Sequence, residues 1–277
     1  GVARDGREAA KLAIKAGIDM SMNDQLYGKE LPGLLKSGEI EQKDIDNAVR
    51  EVLGAKYDMG LFADPYLRIG KVEDDPVDTY ADSRLHRSEA RDIARRSQVL
   101  LKNQNDTLPL KKSATIALVG PLAKAPIDMM GSWAAAGKPA QSVTLLDGMN
   151  AVIGEKGKVI YARGANITSD KAVLDYLNFL NFDAPEVVDD PRSAQVLIDE
   201  AVKAAKNADV VVAAVGESRG MSHESSSRTD LNIPQSQRDL IKALKATGKP
   251  LVLVLMNGRP LSILEENQQA DAILETW

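Results

Sequence analysis

The sequence contains no cysteine. That removes disulfide frameworks and thiolate chemistry, and it is compatible with either redox compartment. Histidine is almost as scarce: His86 and His223 are the two copies, far apart in the chain, which argues against a histidine-based zinc site. No apolar run approaches the roughly 20 residues of a membrane-spanning helix. A net charge of -5 with no dense basic patch argues against a nucleic-acid partner. The first residue is not Met and no signal peptide is visible, so a processed or excised piece is expected. What is present is ordinary for a globular protein: 44% hydrophobic and 27% charged residues over 277 positions, enough for one large domain or one domain plus part of another.

Asp5-Gly6-Arg7-Glu8 has the spacing of a helix capping box. Ala9, Ala10, Ala13 and Ile14 continue a short helix that Gly17 ends. Ile18 to Met22 reads as a strand, and a helix feeding a strand with no neighbours suggests a truncated βα architecture. Asp19 there has no partner in view and is read as structural. Helices are expected at Leu26–Lys36 and Asp44–Tyr57, the second with Ile45, Ala48, Val49, Val52 and Leu53 on one face. Asp64 to Tyr80 reads as a linker, and Ser88 to Leu101 as a helix. Beyond it, strands are expected at Thr115–Val119, Lys158–Ala162, Ala208–Val215, Pro250–Met256 and Asp271–Glu275. Helices at Thr144–Ile153, Ser193–Asn207 and Gln235–Thr247 alternate with them, the signature of a largely parallel sheet covered on both faces. Thr168 to Asp190 reads as an irregular insertion.

The valine-rich run ending at Val215 has the character of a strand buried on both faces. A polar loop follows from Gly216 to about Pro234. Its length far exceeds the about 2–6 residues common in α/β connections, and it leaves from a strand's carboxyl end, where open α/β sheets place their sites. It carries Glu217, Arg219, His223, Glu224, Arg228 and Asp230. Glu217, next to the strand, is positioned to brace the loop by pairing with Arg219 or Arg228. Glu224 lies farther out, where a carboxyl with a raised pKa could reach a leaving-group oxygen as a general acid. Trp133, set among small residues in Gly131–Gly137, offers a face for a sugar ring or a cover for the sheet edge. Val119-Gly120-Pro121 lacks the glycine spacing of a dinucleotide site, and Pro121 removes one of the amides such a site would use. Asn257-Gly258-Arg259-Pro260 reads as a tight turn that could border the same crevice.

These segments together resemble glycoside hydrolase family 3. Ala16–Met22 is similar to the family's last barrel-strand segment. Leu35–Ile40, Ile45–Arg50 and Lys56–Phe62 are similar to its barrel-exit helices. Val99–Asn103, Leu108-Pro109-Leu110 and Val119-Gly120-Pro121 resemble the entry to its second domain, and Val215-Gly216-Glu217 with Arg228–Leu231 its acid/base loop. The resemblance implies a six-stranded, mostly parallel α/β sandwich at residues 86–277. Before it would come a linker at 66–85 and, at 1–65, a helical remnant of a (β/α)8 barrel. It also implies retaining hydrolysis of β-glucosides by two carboxyl groups, without cofactor or metal, in the periplasm. The acid/base position falls on Glu224, with Glu217 the alternative because loop lengths vary, and Trp133 matches the family's Trp at the aglycone side. No Ser-Asp-aromatic or Ser-Asp-His stretch is present to supply the nucleophile, since Ser169-Asp170 is followed by Lys171. The expected partners are therefore a β-glucoside or oligosaccharide and a barrel domain of the same protein. The isolated chain is expected to be inactive. The first 60 residues would fold back, pair between copies of the chain, or become disordered. A carbohydrate-binding or assembly domain without catalysis is the rival reading.

Overall fold

The structure, a computed structural model, describes residues 2–66, 80–134, 137–179 and 187–277. The chain divides into two compact units, Gly1–Leu85 and His86–Trp277.

The first unit is helical. The Asp5 carboxylate accepts the Glu8 amide at 2.8 Å and starts α1 (Gly6–Lys15). The other half of the expected box differs, because the Glu8 carboxylate reaches back to the amide of Arg4. α2 (Leu26–Lys36) and α3 (Gln42–Asp58) follow, α3 entered through a capping box of Glu41 and Asp44. Ala10, Ile14, Leu34, Ile40 and Ala48 form the small core. Only part of the expected α3 face joins it: Ala48 is buried and Ile45 packs against the core, while Val49 and Leu53 are exposed. The strand expected at Ile18–Met22 does not form. A single extended segment has no ladder to join here, and Ile18, Met20 and Met22 are exposed. Asp19 is exposed too. Most of the expected linker, residues 67–79, lies outside the described residues.

Glu39 joins α1 to the end of α2. It accepts from Arg7 at 2.7 Å, Lys11 at 3.1 Å and Ser37 at 3.0 Å, and these donors hold its carboxyl at about 2, below an ordinary 4.5. A carboxyl depressed on folding stabilises the fold above its unfolded pKa, and that contribution disappears as pH falls through the folded value. Hydrogen exchange of α1 amides should therefore be slower in the native chain than in Glu39→Gln above pH 4.5, with the difference vanishing towards pH 2. A difference that is constant across this window would contradict the assignment.

α4 (Tyr80–Ser97) and β1 (Val99–Asn103) come next in the chain. The helix expected to run to Leu101 thus stops four residues early, because Val99 to Asn103 pair antiparallel with the last strand. The remaining strands are β2 (Thr115–Val119), β3 (Lys158–Ala162), β4 (Val210–Gly216), β5 (Leu251–Met256) and β6 (Ala272–Glu275). Their order is β1-β6-β5-β4-β2-β3, with every pair except β1–β6 parallel. This is the expected six-stranded, mostly parallel α/β sandwich.

Every residue of β4 and β5 is buried, which is why these strands read as unbroken apolar runs. Val211, Ala213 and Val215 face α7 (Ala194–Lys206) and α8 (Gln235–Lys245), where Ala201, Leu240 and Leu244 complete one core. Val210, Val212 and Ala214 face the other, which includes Ile153 of α5 (Leu145–Ile153). Leu177 of α6 (Lys171–Phe179) joins that second core. α6 corrects the irregular reading of Thr168–Asp190. Val173, Leu174 and Leu177 make its inner face, and Asp170 accepts the amides of Ala172 and Val173 at its start. A short α9 (Leu264–Gln269) links β5 to β6.

Candidate active site

The long loop is built outward from the end of β4. At Gly216 the backbone is pinned by Gln237 of α8, which is completely buried. Its side-chain oxygen accepts the Gly216 amide at 2.8 Å, and its NH2 group donates to the carbonyls of Gly216 at 2.9 Å and Ile167 at 2.7 Å. All the hydrogen-bonding capacity that burial would otherwise strand is thereby used on backbone. The next amide, of Glu217, donates to Met256 at the end of β5 at 2.8 Å.

The Glu217 side chain has no exposed surface. One carboxylate oxygen accepts from Nη1 of Arg228 at 2.5 Å and the other from Nε of Arg259 at 3.1 Å. The expected partner Arg228 is therefore joined by a second guanidinium from the turn after β5. Arg259 also donates through Nη2 to the carbonyls of Met221 and Ser226, the latter at 2.7 Å. Arg228 donates to the carbonyl of Asn232 at 3.4 Å. A buried carboxylate is tolerable only with such partners. The Asp230 carboxyl is held below its usual range, first by the Asn232 amide that it accepts.

Between the pinned carbonyls the chain turns outward. Ser225 has a positive φ of 66°, Ser226 is buried with its hydroxyl donating to Gly220 at 2.9 Å, and Glu224 is solvent-exposed. The His223 ring contacts the carbonyl of Glu224 through Nδ1, and its edge meets Trp133, with ring centroids 6.5 Å apart at 72°. Trp133 is 74% exposed, so it does not cover the sheet edge. It is held beside the loop because the Ser132 hydroxyl contacts the carbonyls of Arg219 at 2.7 Å and Ser222 at 3.0 Å, and Asp128 accepts the Arg219 amide at 2.8 Å. Ala135 and Ala136 of the Gly131–Gly137 segment lie outside the described residues.

The fold thus brings together two distant stretches, with the Trp133 ring against His223, Glu224 exposed next in the chain, and Glu217 buried at the start of the loop. Gly258 lets the turn after β5 approach this loop: a side chain there would meet the Ser222 hydroxyl at 2.1 Å. A groove of about 780 Å³ runs alongside, bordered by Asp128, Met130, Glu217, Ser222 and Asn257; neither Trp133 nor Glu224 lines it. Among the described residues no group of three or more acidic or histidine side chains could hold a metal ion, and no helix is long and apolar enough to cross a membrane.

The chain belongs to glycosyl hydrolase family 3, and residues 98–277 match the family's C-terminal domain. It is 63% identical over its whole length to the periplasmic beta-glucosidase of Salmonella typhimurium, covering 36% of that protein. A beta-xylosidase of Formosa agariphila is 35% identical, again across the whole chain and 36% of the relative. The beta-glucosidase of Listeria innocua, solved in complex with isofagomine, superposes with a TM-score of 0.78 at 32% identity, covering the whole chain and 34% of that structure. The chain therefore spans about a third of the length of the relatives it matches.

Proposed function

We propose that this chain supplies the acid/base half of the active site of a retaining β-glucosidase. Glu224 is the acid/base. As an acid it protonates the glycosidic oxygen while a nucleophilic carboxylate attacks the anomeric carbon. As a carboxylate it then takes a proton from the water that releases the sugar. The observation that supports Glu224 over Glu217 is their contrast in setting: Glu224 is exposed, next in the chain to the His223 whose ring meets Trp133, whereas Glu217 is enclosed by two arginines. Trp133 stacks against the aglycone. The nucleophile is an Asp of a barrel domain that partners this one, and the periplasm is the proposed location, as for the Salmonella relative. No nucleotide, metal or other cofactor enters this scheme.

The pair of carboxyl groups must stand about 5–5.5 Å apart for retention. Supplying one of them, the isolated chain should give no turnover of a nitrophenyl β-glucoside. The same chain grafted in place of the matching region of the Salmonella enzyme should restore it. Steady hydrolysis by the isolated chain, lost with Glu224→Gln, would sink the two-domain scheme. In the hybrid, Trp133→Ala should raise KM for an aryl β-glucoside by about 2- to 10-fold, the worth of one aromatic stacking contact. It should leave alkyl glucosides much less affected; equal effects on both would deny Trp133 the aglycone role.

A further inference from the structure

Nothing in the acid/base chemistry requires Glu217, yet it is the most completely enclosed carboxylate of the loop, and both guanidiniums that it binds donate to carbonyls of that loop. Its own amide is fixed to β5 through Met256, and the residue before it is clamped by Gln237. Its two oxygens orient two guanidiniums. Arg259 then holds the carbonyls of Met221 and Ser226, which bracket Ser222 to Ser225 on either side. Arg228 holds the carbonyl of Asn232 farther along. Within the bracket no side chain is buried, and Glu224 and Ser225 are exposed. The tip therefore has no core of its own. Its position relative to the sheet is set by these carbonyl contacts, by the docking of Ser132 and by the Tyr176 hydroxyl of α6, which donates to the carbonyl of Ser225 at 3.1 Å.

We propose that Glu217 is a positioning residue for Glu224, acting through the Arg259 fork that spans Met221 and Ser226 and through Arg228. The inference rests on Glu224 being the acid/base. Removing the Glu217 charge leaves Arg228 and Arg259 without the group that aligns them. The bracket loosens while Glu224 itself is intact. A misplacement of about 1 Å can cost up to about 100-fold in rate. The loss should fall only where protonation of the leaving group matters. A merely structural residue would instead depress all substrates alike.

The test uses the hybrid enzyme and two substrates: an alkyl β-glucoside, whose departure needs a proton, and 2,4-dinitrophenyl β-glucoside, whose departure does not. kcat/KM reports the glycosylation step in both. Glu217→Gln should lower kcat/KM for the alkyl glucoside by about 10- to 100-fold and change the dinitrophenyl value by less than about threefold. Arg259→Lys keeps a cation beside Glu217 but cannot span two carbonyls as well as the carboxylate, so it should reproduce the split. It also carries the test if Glu217→Gln does not fold. Equal losses on both substrates, or no loss on either, would overturn the positioning role. Glu224→Gln is measured alongside. If it shows no split, the acid/base reading itself fails and this inference falls with it; if it does while Glu217→Gln and Arg259→Lys do not, only the positioning role is lost.

Discussion

In the hybrid enzyme, Glu224→Gln should lower kcat/KM for alkyl and other poor leaving groups by about 100- to 10,000-fold, the usual worth of a positioned general acid. Gln is nearly isosteric with Glu and can still hydrogen-bond, so the loop keeps its path. What is lost is the proton. A departing alkoxide must then leave as a strong base, whereas dinitrophenolate leaves unaided. The dinitrophenyl substrate should therefore keep most of its kcat/KM, while its kcat falls because the second step has lost its base. A uniform drop across the leaving-group series would mean that Glu224 binds sugar or supports the loop and does not transfer a proton. A carbohydrate-binding role of that kind would show as a rise in KM with kcat preserved.

Gly216→Ala should cost the second unit about 3 kcal/mol or more, a large part of the roughly 5–15 kcal/mol that stabilises a typical domain. At this position φ is +137°, and a Cβ would lie 2.1 Å from the carbonyl oxygen of Met256. That oxygen already accepts the Glu217 amide. The strand pair β4–β5 would have to part at the point where the loop departs, or Gly216 would have to leave the conformation that Gln237 clamps. Gly248 is the comparison: its φ is +74° but a Cβ there meets nothing within 4 Å, so Gly248→Ala should cost only about 1 kcal/mol of backbone strain. Urea unfolding of both variants checks the contrast, and similar costs would refute the steric argument.

The parts of this architecture that were legible in the sequence are those governed by local pattern. β4 and β5 announced themselves because burial on both faces demands an unbroken apolar run. The long loop was legible because a polar stretch of that length is unusual after such a strand. The parts that were not depend on partners far along the chain. β1 was absorbed into a helix because Val99 to Leu101 continue the apolar spacing of α4; only pairing with β6, more than 170 residues later, makes them a strand. Ile18–Met22 failed the other way: its alternation suits a strand, but strand formation needs a neighbour. α6 was hidden because its apolar face, Val173, Leu174 and Leu177, is too short to set a helical period against its polar neighbours. In the site, Arg228 could be paired with Glu217 because both lie on one loop. Arg259 could not, since the Asn257–Pro260 turn advertises only a change of direction. Gln237 carried no signal at all, because its value lies in two backbone segments that the fold brings to it.

The two-carboxylate account is tested most directly by the product that the Glu224→Gln hybrid forms in the presence of azide. Azide needs no base to attack, so it can replace water in the second step. It approaches a glycosyl-enzyme whose sugar has already been inverted once. The account predicts that azide accelerates turnover of the dinitrophenyl glucoside and that the product is β-glucosyl azide. An α-glucosyl azide would mean that Glu224 is the nucleophile, and an absence of any azide product would mean that it is not the base; either result contradicts the role assigned to it here.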